Sequence, residues 1–487
     1  MNSHGGRSVL KQLYAMGKGS IFILGLLFAL NSPGIRAQQA TSSLPQNLSL
    51  PLAIDYAQAH FPEAQAALAR LTAARAGVTL AQTAYLPRTD LLWQTNRSTY
   101  NNITGLLIPQ SVIPSLSGTV LPNSSGQTLW GSDSGALFSW QPFDFGLRRA
   151  NVNVARSGES NANFQLQLTR LDVSAAAADA FLGLVVAQQA RRAADADVSR
   201  REAFARVVHA LVDNQLRPGV DSSRADAELA AARTQLLRAQ QVEQNSQVAL
   251  AEALGAAGQT VQIDPGPLAS SLPTAASSIS GGQLTNHPQA ELAMSSVEQF
   301  QAQRHALDRA YFPSFNLQSV IAGRGSGAKS NGTILQGTNG LAPDRYNFAV
   351  GVTATFPVFD FFSLRAQKQI EAANEQSSRA EYDNTVQQLT AQLQRAQIAM
   401  TTAKQIADNT TVELKSAQMT ESQAEARYRA SLANAIEVAE AQGLLVQAET
   451  DDAVAKVSVW RALLSQAFAE GNLQPFIDAV QGATGGH

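Results

Sequence analysis

The chain repeats itself, and the repeat sets what it can fold into. Ala84-Tyr85-Leu86-Pro87 returns as Ala310-Tyr311-Phe312-Pro313, 226 positions on, and His60-Phe61-Pro62-Glu63-Ala64 returns at that offset as Asn286-His287-Pro288-Gln289-Ala290. Phe143-Asp144-Phe145 returns as Phe359-Asp360-Phe361 at an offset of 216, which then carries Leu216 to Leu432, Asp221 to Glu437 and Gly255 to Gly471. Ten residues are lost between Pro87 and Phe143, as happens in loops, while the rest aligns without a gap.

Each copy has the same order of elements. A helix (about 53–85 and 285–311) stops at Tyr-x-Pro, because Pro87 and Pro313 disfavour helical geometry in the residue before them. Two strand-like runs follow, at about 89–100 and 134–143, then at about 314–323 and 345–359. In the last, Phe348, Val350, Val352, Ala354 and Phe356 share one face while Asn347, Ala349, Gly351, Thr353 and Thr355 share the other. That alternation suits a lipid-facing barrel strand with a polar inner side; a hairpin in a soluble sandwich shows the same pattern. Loops rich in Gly, Ser, Asn and Pro (about 101–128 and 324–344) join the strands.

A very long helix comes next in each copy. From 147 to 213 the only breakers are Gly158 and Gly183, and 363–430 contains neither Gly nor Pro. At about 1.5 Å per residue such a rod is on the order of 100 Å long. It turns at Asn214–Gly219 and near Ala433-Asn434, then returns as a shorter helix. A returning and an entering helix stacked end to end match the long one. Rods lined with Ala, Leu, Val and Gln bury little alone and must assemble, into a closed sheet of helices or a dry coiled coil.

Residues 1–37 have the form of a secretory signal, with a basic start, the run Ile21–Leu30 and small residues near Ala37. No later stretch reads as a transmembrane helix, so a membrane-inserted form would be a β-barrel. The expected divisions are the signal 1–37, a first repeat 38–255, a linker 256–284, a second repeat 285–471 and a tail 472–487. The formal charge is −2 and the signal holds Arg7, Lys11, Lys18 and Arg36 without an acid, so the exported part is more acidic still and unsuited to nucleic acid. There are no cysteines, which excludes disulfides, thiolate metal sites, a catalytic thiol and a lipid-acceptor Cys. Neither a phosphate loop nor a nucleophile–base pair is present, so neither an enzyme nor a cofactor is expected.

Two copies of helix, Tyr-x-Pro, strand pair, Phe-Asp-Phe, long helix, tip and returning helix, behind a signal, resemble the TolC-type outer-membrane efflux proteins over about 50–475. The resemblance implies a mainly α chain with a membrane β-barrel portion: a homotrimer with four strands per subunit in a shared twelve-strand barrel and long helical hairpins in an α-barrel tunnel across the periplasm. It also implies an outer-membrane exit duct for small molecules or polypeptides, serving a tripartite efflux pump or type I secretion system. The partners would be a periplasmic adaptor, an inner-membrane pump and outer-membrane lipid. The linker, with about 38–52 and 472–487, would form the equatorial region. A periplasmic adaptor or a structural coiled-coil protein is the alternative.

The hairpin tips hold the candidate site. Glu437 and Glu440 are three apart on one helix face, and similar proteins carry paired acids that line a cation-selective entrance. Asp221 and Arg224 take those places in the first copy, with Arg224 able to bridge to a neighbouring acid. Acids in a first helical turn are also favoured by capping and the helix dipole. Asp144 and Asp360 are placed to cap the long helices, and Trp130, Trp140, Phe138 and Phe143 to form part of an interfacial aromatic belt.

Overall fold

In a computed structural model, the residues described are 47–101, 111–113, 120, 122–273, 284–329, 331 and 333–484. They belong to one unit, Gln46–His487; the expected signal, with part of the strand-joining loops and of the linker, lies outside the described residues.

The first entering helix is two helices, α1 (Leu50–His60) and α2 (Pro62–Thr83). Pro62 holds Phe61 extended at φ −65°, ψ 126° and then serves as the first residue of α2. Leu86 and Pro87 lead from α2 into β1 (Arg88–Thr99), which pairs with β2 (Thr128–Phe143). The long helix α3 (Leu147–Asp213) and returning helix α4 (Gly219–Ala253) complete the first copy. The second runs α5 (Pro288–Arg309), Pro313, β3 (Ser314–Ser326), β4 (Arg345–Thr355), α6 (Phe361–Arg429) and α7 (Ala435–Ala469), closed by α8 (Gln474–Thr484).

The strands form one antiparallel sheet in the order β1-β2-β3-β4. β2 starts earlier than its apolar run suggested, because Thr128–Asp133 pair with Gln94–Thr99 through the backbone ladder, and Arg97 Nε donates to Thr128 Oγ1 at 2.9 Å. β4 ends at Thr355, as Pro357 has no N–H to continue the ladder. Leu91, Trp93, Ile321, Phe348, Val350 and Val352 lie exposed on one face. The other face is less uniformly polar than expected. Val112 and Ile113, from the β1–β2 connection, cover Leu92, Leu137, Val320 and Ala322 there and make a dry apolar patch.

α3 lies between two columns of short helices, α2 with α4 on one side and α5 with α7 on the other, and α6 packs on the far side of α5 and α7. The copies agree in side-chain detail. Arg75 meets Glu159 at 3.3 Å, and their counterparts Gln301 and Glu375 meet at 3.0 Å. α3 does contain a window apolar enough to cross a membrane by length and composition, contrary to expectation; 56% of it is buried inside the chain. Ala177, Phe181, Leu182, Leu184 and Val185 are core there, with Trp460 of α7. At this level Leu48 bridges to Ile263, Trp460 Nε1 donates to Ser271 O at 3.0 Å, and α8 packs on α7, so Leu48, α8 and the described part of the linker gather around the middle of the rods.

Candidate functional site

The two tips are built alike. Gln215 and Ser431, 216 apart, both take left-handed φ, at 61° and 63°. This lets the Leu216 amide reach Leu211 O and the Leu432 amide reach Arg427 O, both at 2.8 Å, closing each long helix. Leu216 and Val220, and likewise Leu432 and Ile436, are left exposed. Behind them Phe204, Val208, Ala225, Tyr428, Ala433 and Val438 form a core shared by both hairpins.

Asp221 lies half-buried in the first turn of α4, and Arg224 is exposed without an ion pair among the described residues. Glu437 follows the Asn434 cap, whose Oδ1 accepts the Glu437 N–H at 3.0 Å, and its carboxylate is 3.9 Å from Arg427. Glu440 is exposed and unpaired among the described residues. Within one chain, therefore, Arg224 meets neither Glu437 nor Glu440.

A different cation joins the hairpins. Arg217 donates to the carbonyl oxygens of Tyr428 and Ala433, both at 3.1 Å, and its guanidinium lies 4.6 Å from the Tyr428 ring centre. Tyr428 is buried, which raises its pKa, and the nearby Asp221 charge raises it further while Arg217 opposes. Sequence reasoning missed Arg217 and Tyr428. Their counterparts are Ala433 and Val212, and this departure from the repeat was the available signal.

Higher on the rods, Arg200 holds Glu449 through two bonds of 3.0 and 2.9 Å, and Arg201 bonds Asp197 at 2.8 Å and Glu228 at 3.0 Å. Burial raises the pKa of neighbouring Glu421, as do the Glu425 and Glu449 charges, against Arg200. His209, which reads as a solvated residue in the sequence, is exposed and also bridges Asp226 and Ser222 at 2.9 Å each, tying α3 to α4. No group of three or more potential metal ligands occurs among the described residues.

At the opposite end of α3, Asp144 accepts from the Gly146 and Arg148 amides at 3.1 and 2.7 Å and from Arg148 Nε at 2.9 Å. Burial alone would raise its pKa; the Arg148 and Gly146 donors and the Arg148 charge outweigh this and hold it below the ordinary value. Asp360 makes no such side-chain cap, since its own helical backbone (φ −73°, ψ −9°) contributes only its carbonyl to the start of α6. Pro87 and Pro313 stand where strands begin, as expected. Trp140 Nε1 bonds Tyr85 O at 3.1 Å, while Trp130 lies under Arg97 toward the other end of β2, about 33 Å away along the strand.

The sequence model of the family described as outer membrane efflux protein matches residues 53–256 and 283–469, both repeats and most of the chain. The chain belongs to the outer membrane efflux protein family. A search of curated proteins finds no match. Among solved structures, CusC superposes with a TM-score of 0.70 at 16% identity, covering 88% of this chain and 96% of that one. VceC of Vibrio cholerae gives 0.67 at 19% identity, covering 87% and 96%. The open state of Neisseria gonorrhoeae MtrE gives 0.67 at 19%, covering 87% and 89%. At these identities the likeness is one of fold. Family and fold make this chain a non-enzymatic outer-membrane exit duct, with the sheet in the membrane and the helical rods forming a periplasmic extension.

Proposed function

We propose that the chain, after loss of residues 1–37, forms a homotrimeric duct that docks on a periplasmic adaptor and receives small molecules or polypeptides from an inner-membrane pump. The observation that carries this reading is a four-stranded sheet that does not close on itself. β1 and β4 end the sheet on either side, four strands are too few to close a barrel, and unpaired strand edges are costly in lipid. Among the described residues the column of α2 and α4 packs chiefly on α3, with α4 also touching α7, and α6 packs chiefly on α5 and α7. Copies related by rotation close the sheet and the layer of helices together.

In this assembly Glu437 and Glu440 form rings of carboxylates at the periplasmic entrance, with Asp221 and Arg224 from the alternate hairpins between them. Arg217 fastens the two hairpins of one subunit. Between subunits the repeat places Ala433 against Val212, with no cation, so those joints part first when an adaptor spreads the tips. The exposed Leu216, Val220, Leu432 and Ile436 offer the adaptor an apolar hold. Nothing in the chain uses energy; transport is driven by the inner-membrane partner.

Single-channel conductance in a planar bilayer tests the reading, with the Glu437→Ala/Glu440→Ala variant beside the parent protein. A small cation-selective conductance that widens or loses selectivity in the variant supports it. Conductance indifferent to both substitutions removes the ring assignment, and a folded oligomer that conducts nothing removes the duct.

A further inference from the structure

The joint between a returning helix and the entering helix of its column is built twice. α4 runs into Gly255 and α7 into Gly471, both with left-handed φ, at 71° and 77°. Each glycine lies against the step that starts the entering helix, Gly255 against Phe61-Pro62 and Gly471 against His287-Pro288. The offset of 226 sets His287 where the first copy has Phe61, so a ring that can take a proton replaces one that cannot.

His287 is 1% exposed, and both of its nitrogens are committed. Nδ1 accepts the Gln289 N–H at 3.1 Å and so caps α5, while Nε2 lies 3.2 Å from the Phe468 carbonyl oxygen near the end of α7. A backbone N–H can only donate and a carbonyl can only accept, so the ring is neutral and carries its proton on Nε2. A second proton, on Nδ1, would face the Gln289 N–H, donor against donor, in a site closed to water.

We propose that His287 is an acid-released latch between α7 and α5. In its neutral form the ring fastens the two helices; protonation undoes the cap of α5 and loosens the root of the second hairpin, while the Phe61 joint of the first copy holds.

The surrounding charges leave the latch to the ring itself. The acids nearest in chain position on the elements that meet here are Glu291, in the first turn of α5, and Glu470, beside Gly471. Glu470 accepts from Gln466 Nε2 at 3.4 Å, and burial raises its pKa, so it is a poor counter-ion for an imidazolium. Burial lowers the His287 pKa and the Phe468 carbonyl opposes this; no charged side chain of α3, α5, α6 or α7 among the described residues takes part. In the first copy the neighbouring His60 donates from Nδ1 to Tyr56 O at 3.0 Å, a bond that protonation leaves intact because Nδ1 donates in either state.

Hydrogen exchange of the full-length protein in detergent, read by mass spectrometry at 289–291 and at 63–65 from about pH 8 to about pH 5, tests the latch. An open joint takes its proton at the ordinary histidine value of about 6.5 and a closed one at a lower pH. Protection at 289–291, corrected for the intrinsic rate, is therefore expected to be constant above about pH 6.5 and to fall below it, approaching tenfold per pH unit until the closed-joint value is reached. His287→Asn, whose side-chain oxygen can accept the Gln289 N–H at any pH, should give a flat profile. His287→Phe, the residue of the first copy, should be flat as well, at lower protection throughout; a purely structural role would instead cost the same protection at every pH in both variants and leave the parent flat.

A fall confined to 289–291 that His287→Asn abolishes supports the latch. Flat protection there in the parent protein, an equal fall at 63–65, or a fall that persists in His287→Asn overturns it. Should both variants fail to fold, the comparison of the two joints within the parent protein decides alone.

Discussion

Arg217 stands 211 positions before Tyr428 and lies over its ring, 4.6 Å from the ring centre, while donating to its carbonyl oxygen at 3.1 Å. One guanidinium thus ties the turn of the first hairpin to the last turn of the second long helix. It lies where two hairpins must move together or part, and its counterpart in the other copy is Ala433.

Removing that tie loosens the tip. Arg217→Ala forfeits charge-assisted bonds worth about 1.5–3 kcal/mol, so the resting conductance of the purified channel is expected to rise several-fold. Arg217→Lys, which cannot keep the flat contact with the ring, falls between. A resting conductance equal to the parent's in Arg217→Ala would show that the tie is not part of the closure.

Capping and gating separate at Asn434 and Glu437. Asn434→Ala removes the bond to the Glu437 amide at a cost of about 1 kcal/mol, and is expected to lower thermal stability slightly with ion selectivity intact. Glu437→Gln/Glu440→Gln is expected to do the reverse, lowering the cation-to-anion permeability ratio at unchanged melting temperature.

Glu421 makes a pH-dependent contribution. Burial and the acids Glu425 and Glu449 raise its pKa in the folded state, so its ionised form opposes folding. That opposition is fully present above the raised pKa and fades as pH falls toward the unfolded value of about 4.3. Glu421→Gln should therefore raise the melting temperature at pH 7 to 8, with the gain vanishing near pH 4; a gain of equal size at both ends would point to some other cause.

Asp144 has the opposite sign. Its pKa is lowered in the folded state, so its stabilisation is present above the unfolded value of about 3.9 and is lost as pH falls through the folded one. Asp144→Ala strands Arg148, whose side chain is only 9% exposed, and a cost of about 3–5 kcal/mol at neutral pH follows. Thermal unfolding at pH 7 and pH 3 should show the gap between parent and variant narrowing in acid.

Gly471 ends α7 at φ 77°, and a Cβ there would meet Pro288 Cδ at 2.7 Å and His287 Cδ2 at 2.8 Å. Gly471→Ala adds left-handed strain, about 1 kcal/mol or more, to that clash, and should lower the melting temperature markedly. Gly443→Ala, with open space around its Cβ position, should not.

Much of the fold was legible because it is local and doubled. Proline at 87 and 313, and the absence of breakers from 363 to 430, bound the elements within a few residues of where they lie. Boundaries failed where tertiary pairing overrode composition, as at Thr128–Asp133, whose backbone joins β1 despite few apolar side chains. Of the candidate site, the tips were found and their acids placed at the helix starts, but the cation that joins the hairpins was not. Asp360 shows the limit again: the same Phe-Asp-Phe as Asp144, yet a different backbone and no cap.

The sequence by itself determined the order, length and duplication of the rods and strands, because proline, glycine and side-chain periodicity act within a few residues. Only the tertiary structure decided which residues of separate rods meet, such as Arg217 with Tyr428 or Arg200 with Glu449. A helix's own periodicity sets which residues share its face; it says nothing of how that face is rotated against a neighbour hundreds of residues away, and packing alone chooses the rotation.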